Sequence, residues 1–331
     1  MKKTRKLLCL LMAALLSVLS LMGCSASDNV KLTVSEVTHS VFYAPQYAAM
    51  ALGFFEEQGL DIELVNGQGA DKVMTSVLTE QVQIGLAGPE AAIYVYNEGR
   101  EDYCKVFAQL TKRDGSFLMA RQPDADFSYD KLEGKHVLGG RKGGMPYMAL
   151  EYVIKNSGAD IEKINLDTSI QFAMMTGAFT GGTGDYVTVF EPTATMLQNE
   201  GKGYIVSSIG QDSGEIPFTA YFAAKSYMEE NPRIIEKFTA AIYAGQQWVQ
   251  KAPAADIAAA IAPYFPDSSV EVLTDVVQRY KDIDAWSTTP IMSEEVFDRL
   301  QDVMQEAGEL DKRADYGALI DNSFAEAVTA A

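Results

Sequence analysis

From Lys31 onward the chain alternates short β-type runs with helical runs, and this rhythm restricts the fold more than any other feature of the sequence. Leu32-Thr33-Val34 reads as a strand, followed by a turn holding His39 and Ser40 and a helix opened by Pro45 and stopped near Gly53. Leu60 to Val65 alternates as a second strand. Gly67-Gln68-Gly69 turns the chain into a helix over Asp71 to Thr79. Gln83 to Leu86 is a third strand, closed by Gly88-Pro89 and a helix through Tyr96, and Val106 to Leu110 is a fourth. Strands that alternate with helices predict an α/β layer with a mostly parallel sheet covered on both faces.

A second block repeats the pattern. Lys135 to Leu138 is a strand, and the loop Gly139-Gly140-Arg141-Lys142-Gly143-Gly144 leads into a helix from Pro146 to Lys155. Ile164 to Leu166, Asp185 to Phe190 and Tyr204 to Ser208 read as further strands. Helices are expected around Phe172 to Phe179 and from Pro192 to Asn199, a loop over 210–214, then an apolar strand from Phe218 to Ala223. The rest is almost all helix: Ile235, Phe238, Ile242 and Val249 share one face at helical spacing, and Ala254 to Ala262, Val270 to Tyr280 and Glu294 to Ala307 follow. Tyr94 and Tyr96 read as core. Two α/β blocks and a returning helical tail predict two domains, residues 31–116 with 220–331 and residues 117–219. Two crossing segments near Ser116–Arg121 and Pro217–Ala224 then form a hinge with a cleft between the domains. Ligands of open α/β sheets sit beyond the carboxyl ends of the strands, so the strand-to-helix turns should line that cleft.

The N-terminus bears on the compartment. Lys2, Lys3, Arg5 and Lys6 precede an apolar run from Leu7 to Leu21, the form of an export signal. The run ends in Leu21-Met22-Gly23-Cys24, which resembles a bacterial lipobox, although Met22 departs from the usual small residue. The expectation is a lipoprotein signal over 1–23, lipidation of Cys24, a tether over 24–30, and a monomer held on the outer face of the cell membrane. No later run approaches the ~18 apolar residues of a membrane span.

Charge and cysteine usage exclude several functions. The chain carries 27 basic and 45 acidic residues, and loss of residues 1–23 takes the net charge from −18 to −22. Such a balance argues against a nucleic-acid partner, which needs a basic face. Cys9 lies in the signal and Cys24 at its end, so Cys104 is left alone. With His39 and His136 the only histidines, no metal site and no cofactor is expected. The glycine loop matches neither nucleotide fingerprint: Met145 stands where a Walker motif needs lysine. GxSxG is also absent, so nothing in the spacing proposes catalysis.

Four stretches carry a family resemblance: "FYAPQYAAMALGFFEEQGLDIEL" (42–64), "GADKVMTSVLTEQVQIGLAGPEA" (69–91), "GDYVTVFEPTA" (184–194) and "NPRIIEKF" (231–238). They resemble substrate-binding proteins of ABC importers, in the branch of sulfonate, taurine and nitrate binders and of binders of the thiamine pyrimidine precursor. The similarity spans nearly the whole mature chain. It implies a two-domain type II periplasmic-binding-protein fold, closure of the cleft on one small molecule, and docking onto an ABC permease served by its ATPase. Phe190-Glu191-Pro192 and the glycine loop look closest to the thiamine-pyrimidine side, so an aminopyrimidine or similar flat heterocycle is the favoured ligand. The alternative is an alkanesulfonate-, taurine- or nitrate-type anion, held by helix N-termini and Arg141. The eukaryotic relatives that make the pyrimidine use a cysteine cluster that this chain lacks, and the export signal argues against a cytosolic biosynthetic enzyme; an exported enzyme on the same fold is the third reading.

Candidate ligand residues follow from the strand-end rule. In the first turn, which is also the family's first ligand loop, they are His39, Phe42 and Tyr43, whose rings offer stacking faces. Gly67, Gly69 and Asp71 form the second turn. Their bland role is turn and helix-start chemistry, and their functional one is free backbone N–H groups. Gly88 and Glu90 follow the third strand. Gly140, Arg141, Gly143 and Gly144 allow close backbone approach from the second domain. Phe190 and Glu191 end a strand there. Glu191 either complements a helix dipole or accepts hydrogen bonds from a heterocycle.

Overall fold

The computed structural model describes residues 29–330; the signal segment, Cys24 and the tether as far as residue 28 lie outside them. Ten strands alternate with helices: β1 (Val30–Glu36), β2 (Leu60–Asn66), β3 (Ile84–Ala87), β4 (Cys104–Thr111), β5 (Ser116–Ala120), β6 (His136–Leu138), β7 (Asn165–Asp167), β8 (Tyr186–Phe190), β9 (Tyr204–Ser208) and β10 (Thr219–Ala224). They form two five-stranded sheets, ordered β2-β1-β3-β10-β4 and β7-β6-β8-β5-β9. Each sheet with its helices is one lobe.

The parallel rhythm is broken once in each sheet. β10 runs antiparallel between β3 and β4, and β5 runs antiparallel between β8 and β9. Both are the first strand the chain makes after it changes lobes. A segment entering from the far side of the cleft meets the sheet at the carboxyl ends of its strands and must run against them. The sheets are therefore mixed. Ser116–Ala120, expected only as a connector, is a central strand, and all five of its residues are buried.

Local chemistry accounts for the element ends. Pro45 lies in the first turn of the helix Ala44–Ala51, and Gly53 follows it in the left-handed conformation. Ser269 and Ser293 accept hydrogen bonds from the third residues of the helices Val270–Asp282 and Glu294–Glu306. The stretch read as a loop over 210–214 contains a short helix, Ile209–Ser213, because Ser208 caps it by accepting from the Gln211 N–H. No helix among the described residues is long and apolar enough to cross a membrane.

The helix Pro232–Lys251 packs on Ala44–Ala51 and on the C-terminal helix Ser323–Thr329. Ile235, Phe238, Ile242 and Val249 are all buried, as their spacing implied. At Gly245 the two helices touch so closely that an added Cβ would sit 2.3 Å from the Pro45 carbonyl oxygen. Gly245→Ala is expected to cost about 1–3 kcal/mol of stability through overpacking; a thermal melt checks this, and an unchanged midpoint would contradict so tight a contact.

Candidate functional site

The strand ends of the two lobes face one another across a cavity of about 280 Å³. From the first lobe, Val37, Thr38 and Tyr43 reach it after β1, Gln68 to Lys72 after β2, and Gly88 with Glu90 after β3. From the second lobe come Gly140, Arg141, Gly144 and Met145 after β6, Thr168 to Phe172 after β7, and Phe190 at the end of β8. Phe218 and Thr219, at the start of β10, close the hinge side. Tyr43, Phe172, Phe190 and Phe218 give the cavity an aromatic wall.

Glu90 is its most unusual member. The side chain is 1% exposed, and its Oε2 has no hydrogen-bond partner. The carboxylate folds back over Gly88, where an added Cβ would lie 1.9 Å from Oε2, so position 88 admits only glycine with this rotamer. Burial pushes the Glu90 carboxyl up to about 7, against the opposing pull of its own backbone N–H, the Arg141 charge and the Met145 N–H across the cleft. A ligand N–H placed here would replace the water that burial removed.

Glu191 is differently engaged. Both its carboxylate oxygens are occupied: Thr195 donates from its backbone N–H at 2.8 Å and from its hydroxyl at 2.9 Å, and the Arg279 guanidinium pairs with Oε1. Its backbone is held as well, the N–H by the Tyr280 hydroxyl at 3.1 Å and the carbonyl by the Ser40 hydroxyl at 2.5 Å. Arg279 and Tyr280 lie on a helix packed against the first lobe, so Glu191 pins the lobes together. It borders a second, adjoining space and is absent from the main cavity's lining.

The other candidates divide similarly. Tyr43, Gly69, Asp71, Gly88, Gly140, Arg141, Gly144 and Phe190 line the main cavity with Glu90. Phe42 is fully buried behind it, packed on Phe190, Phe218 and Tyr280. Gly67 supports the turn, its N–H donating to the Glu36 carbonyl at 2.8 Å. Gly143 accepts from the Tyr94 hydroxyl at 2.9 Å across the cleft, so Tyr94 bridges the lobes and is only partly core. His39 donates to the buried Glu36 carboxylate and the Tyr264 carbonyl, both at 2.8 Å, and stacks on Phe265. The Glu36 hydrogen bond raises its pKa. His39 therefore ties the first turn to the C-terminal helices.

Thr38, Gln68, Phe218 and the segment Thr168–Phe172 were missed among the candidates. The strand-end rule applied to the short strand β7 finds 168–172. Phe218 gives no such signal, because only the return crossing brings it to the cleft.

A second buried acid lies at the hinge. Asp114, between β4 and β5, accepts from the Ser116 N–H at 2.6 Å through Oδ1, while its Oδ2 is unpartnered. Burial raises its carboxyl to about 7. Gly210 packs directly on the Asp114 carbonyl, so the two crossing segments touch here.

Comparison with known proteins places this architecture. The NMT1/THI5-like family model matches residues 41–256. YtlA of Bacillus subtilis (strain 168), described as a candidate binding protein, is 44% identical over 312 residues, which cover 94% of this chain and 93% of YtlA. The alkanesulfonate-binding protein SsuA from Xanthomonas axonopodis pv. citri, solved bound to MOPS, superposes with a TM-score of 0.72 at 14% identity, covering 90% of this chain and 100% of that one. The periplasmic nitrate-binding protein NrtA from Synechocystis PCC 6803 does so with a TM-score of 0.70 at 15% identity, covering 92% and 89%. At such identities the likeness to the solved structures is one of fold.

Glu90 and Asp114 bind protons more tightly in the folded state than in the unfolded one. Their contribution to stability is complete below pH ~4 and is lost as pH rises towards about 7. Each is worth at most roughly 3–4 kcal/mol. The paired variant Glu90→Gln, Asp114→Asn should therefore gain stability relative to the parent at pH 8 and lose that advantage at pH 5. Urea titrations at the two pH values test this, and a pH-independent difference would refute it.

Proposed function

This chain belongs to the NMT1/THI5-like family and is a solute-binding protein of the ABC-importer type, and on that premise we propose that its cleft captures a flat nitrogen heterocycle of the aminopyrimidine class. The observation that carries this reading is the buried, unpartnered oxygen of Glu90 beside an aromatic wall. A ring fills the space between Tyr43, Phe190 and Phe218. An amino or ring N–H then satisfies Glu90, whose unpaired state otherwise costs about 1–3 kcal/mol. An oxyanion in the same place would meet a carboxylate, and Arg141, which lines the cavity from an exposed backbone loop, is its main counterweight.

Capture works by closure. The proposed division, 31–116 with 220–331 against 117–219, makes the two crossing segments a hinge, and a ligand touching both lobes shifts the population toward the closed form. Lipidation of Cys24 would hold the protein on the extracytoplasmic face of the membrane, as a monomer within reach of an ABC permease and its ATPase. In this reading the protein binds its ligand and delivers it unchanged.

The sulfonate and nitrate binders that share the fold supply the competing ligand class, and one titration separates the two. Hydroxymethylpyrimidine is expected to bind in calorimetry and taurine is not. Glu90→Gln should weaken the pyrimidine at least tenfold, and small-angle scattering should show compaction on binding. Tight taurine binding unaffected by Glu90→Gln would overturn the proposal; taurine binding strengthened by that change would favour the anion reading.

A further inference from the structure

The glycine loop after β6 carries Arg141, Gly144 and Met145 into the main cavity, and its own sequence gives it little means of holding them there. Four of the six residues from Gly139 to Gly144 are glycine, and Gly140 and Gly143 take left-handed backbones, at φ of 97° and 74°. Such a stretch has little stiffness. Within it, the Gly144 N–H closes one turn on the Arg141 carbonyl at 3.0 Å, and the Arg141 guanidinium makes a long 3.4 Å contact with the Lys142 carbonyl.

The stiffness comes from the other lobe. Tyr94 donates its hydroxyl to the Gly143 carbonyl at 2.9 Å, and Glu309 reaches Lys142 at 3.5 Å. Both first-lobe groups close on the same residue: a Cβ added at Gly143 would lie 3.0 Å from Glu309 Oε2 and 3.3 Å from the Tyr94 oxygen. The segment that carries Glu309 is itself tied to the first lobe, by the Asn97 amide donating to the Lys312 carbonyl at 2.7 Å and by a bridge between Ile320 and Val106 on β4. Tyr94, Lys142, Gly143 and Glu309 all lie outside the lining of the main cavity. Tyr94 stands one turn after Glu90 on the helix Glu90–Asn97. The residue that grips the loop and the residue that faces the loop's Met145 N–H therefore share one face of one helix. Burial and the charges of Glu90 and Glu309 keep the Tyr94 phenol protonated, so it remains a donor.

We infer that Tyr94 is a positioning residue: with Glu309 it latches the glycine loop across the cleft and so sets Arg141 and the Met145 N–H opposite Glu90. Retention of a ligand then depends on a side chain that touches no ligand. The inference rests on the binding-protein reading and uses the heterocycle only as a probe. Because the latch joins the two lobes, it governs the exit of an enclosed ligand and not its entry between separated lobes.

Two measurements test this. A zero-length carbodiimide joins an amine to a carboxylate in contact, so the ligand-free parent should yield a Lys142–Glu309 cross-link in peptide mass spectrometry. Tyr94→Phe should slow its formation roughly threefold or more. In stopped-flow displacement, Tyr94→Phe should raise the dissociation rate of hydroxymethylpyrimidine roughly fivefold to tenfold, the effect of one lost hydrogen bond, with the association rate within about twofold of the parent. On a Glu90→Gln background the same change should cost less than about twofold, because the carboxylate that the loop is set against is gone; a ring that only packs would cost the same on both backgrounds. Absence of the cross-link, an unchanged dissociation rate in Tyr94→Phe, or equal losses on both backgrounds overturns the inference. If hydroxymethylpyrimidine does not bind, the heterocycle reading fails and the cross-link decides alone: slower formation in Tyr94→Phe sustains the latch, and an unchanged rate overturns it.

Discussion

The structure depends on one topological constraint, the double crossing of the chain between its lobes. Each crossing delivers a strand into the middle of the sheet it enters, β5 between β8 and β9 and β10 between β3 and β4. Central antiparallel strands cannot be pulled out without losing two ladders of hydrogen bonds, so the connections are anchored at both ends, and between them the two segments hydrogen-bond to each other, Ile216 N–H to Lys112 and Phe218 N–H to Thr111. The same geometry aims the carboxyl ends of the parallel strands of both sheets at one another, which puts the turns after β1, β2, β3, β6, β7 and β8 on the cleft. Hinge and binding site are consequences of one arrangement.

Much of that arrangement is legible in the sequence because it is written in local terms. Periodicity, Pro45 near a helix start, Gly53 after a helix end, and the apolar stripe of Pro232–Lys251 all concern residues close together in the chain. The reading failed where the determinant is distant. Ser116–Ala120 is a short apolar run that could be connector or strand, and only its pairing with Phe190–Tyr186 on one side and Ser208–Tyr204 on the other decides the matter. The helix Ile209–Ser213 is likewise too short to show a period, and its cap at Ser208 is the only local sign.

The two glutamates show the same limit at the site. Glu90 and Glu191 each follow a strand and stand near the start of a helix, and nothing local separates them. What separates them is Arg279, 88 positions beyond Glu191 in the chain, which reaches its carboxylate from the C-terminal helices. Glu191 is therefore already paired, and Glu90, with no salt-bridge partner among the described residues, keeps an open oxygen. The family resemblance drew attention to Phe190-Glu191-Pro192, and the fold moves the chemical interest to Gly88-Pro89-Glu90. His39 follows the same logic: alone it suggests a ligand contact, but buried Glu36 needs a donor and takes it.

A protein that carries a net charge of −18 and places a buried carboxyl in its cleft would seem a poor trap for any polar molecule unless the cleft changes on closing. The groups that oppose burial of Glu90 supply that change. Arg141 and the Met145 N–H belong to the second lobe, whereas Glu90 belongs to the first. In the cleft as described, Glu90 Oε2 is bare, and the second-lobe groups that offset its burial sit across the cleft from it. An empty closed cleft is thus penalised by an unpaired polar atom, and a ligand N–H removes the penalty. Under the proposed function, a single desolvated oxygen would favour closure with cargo over closure without it.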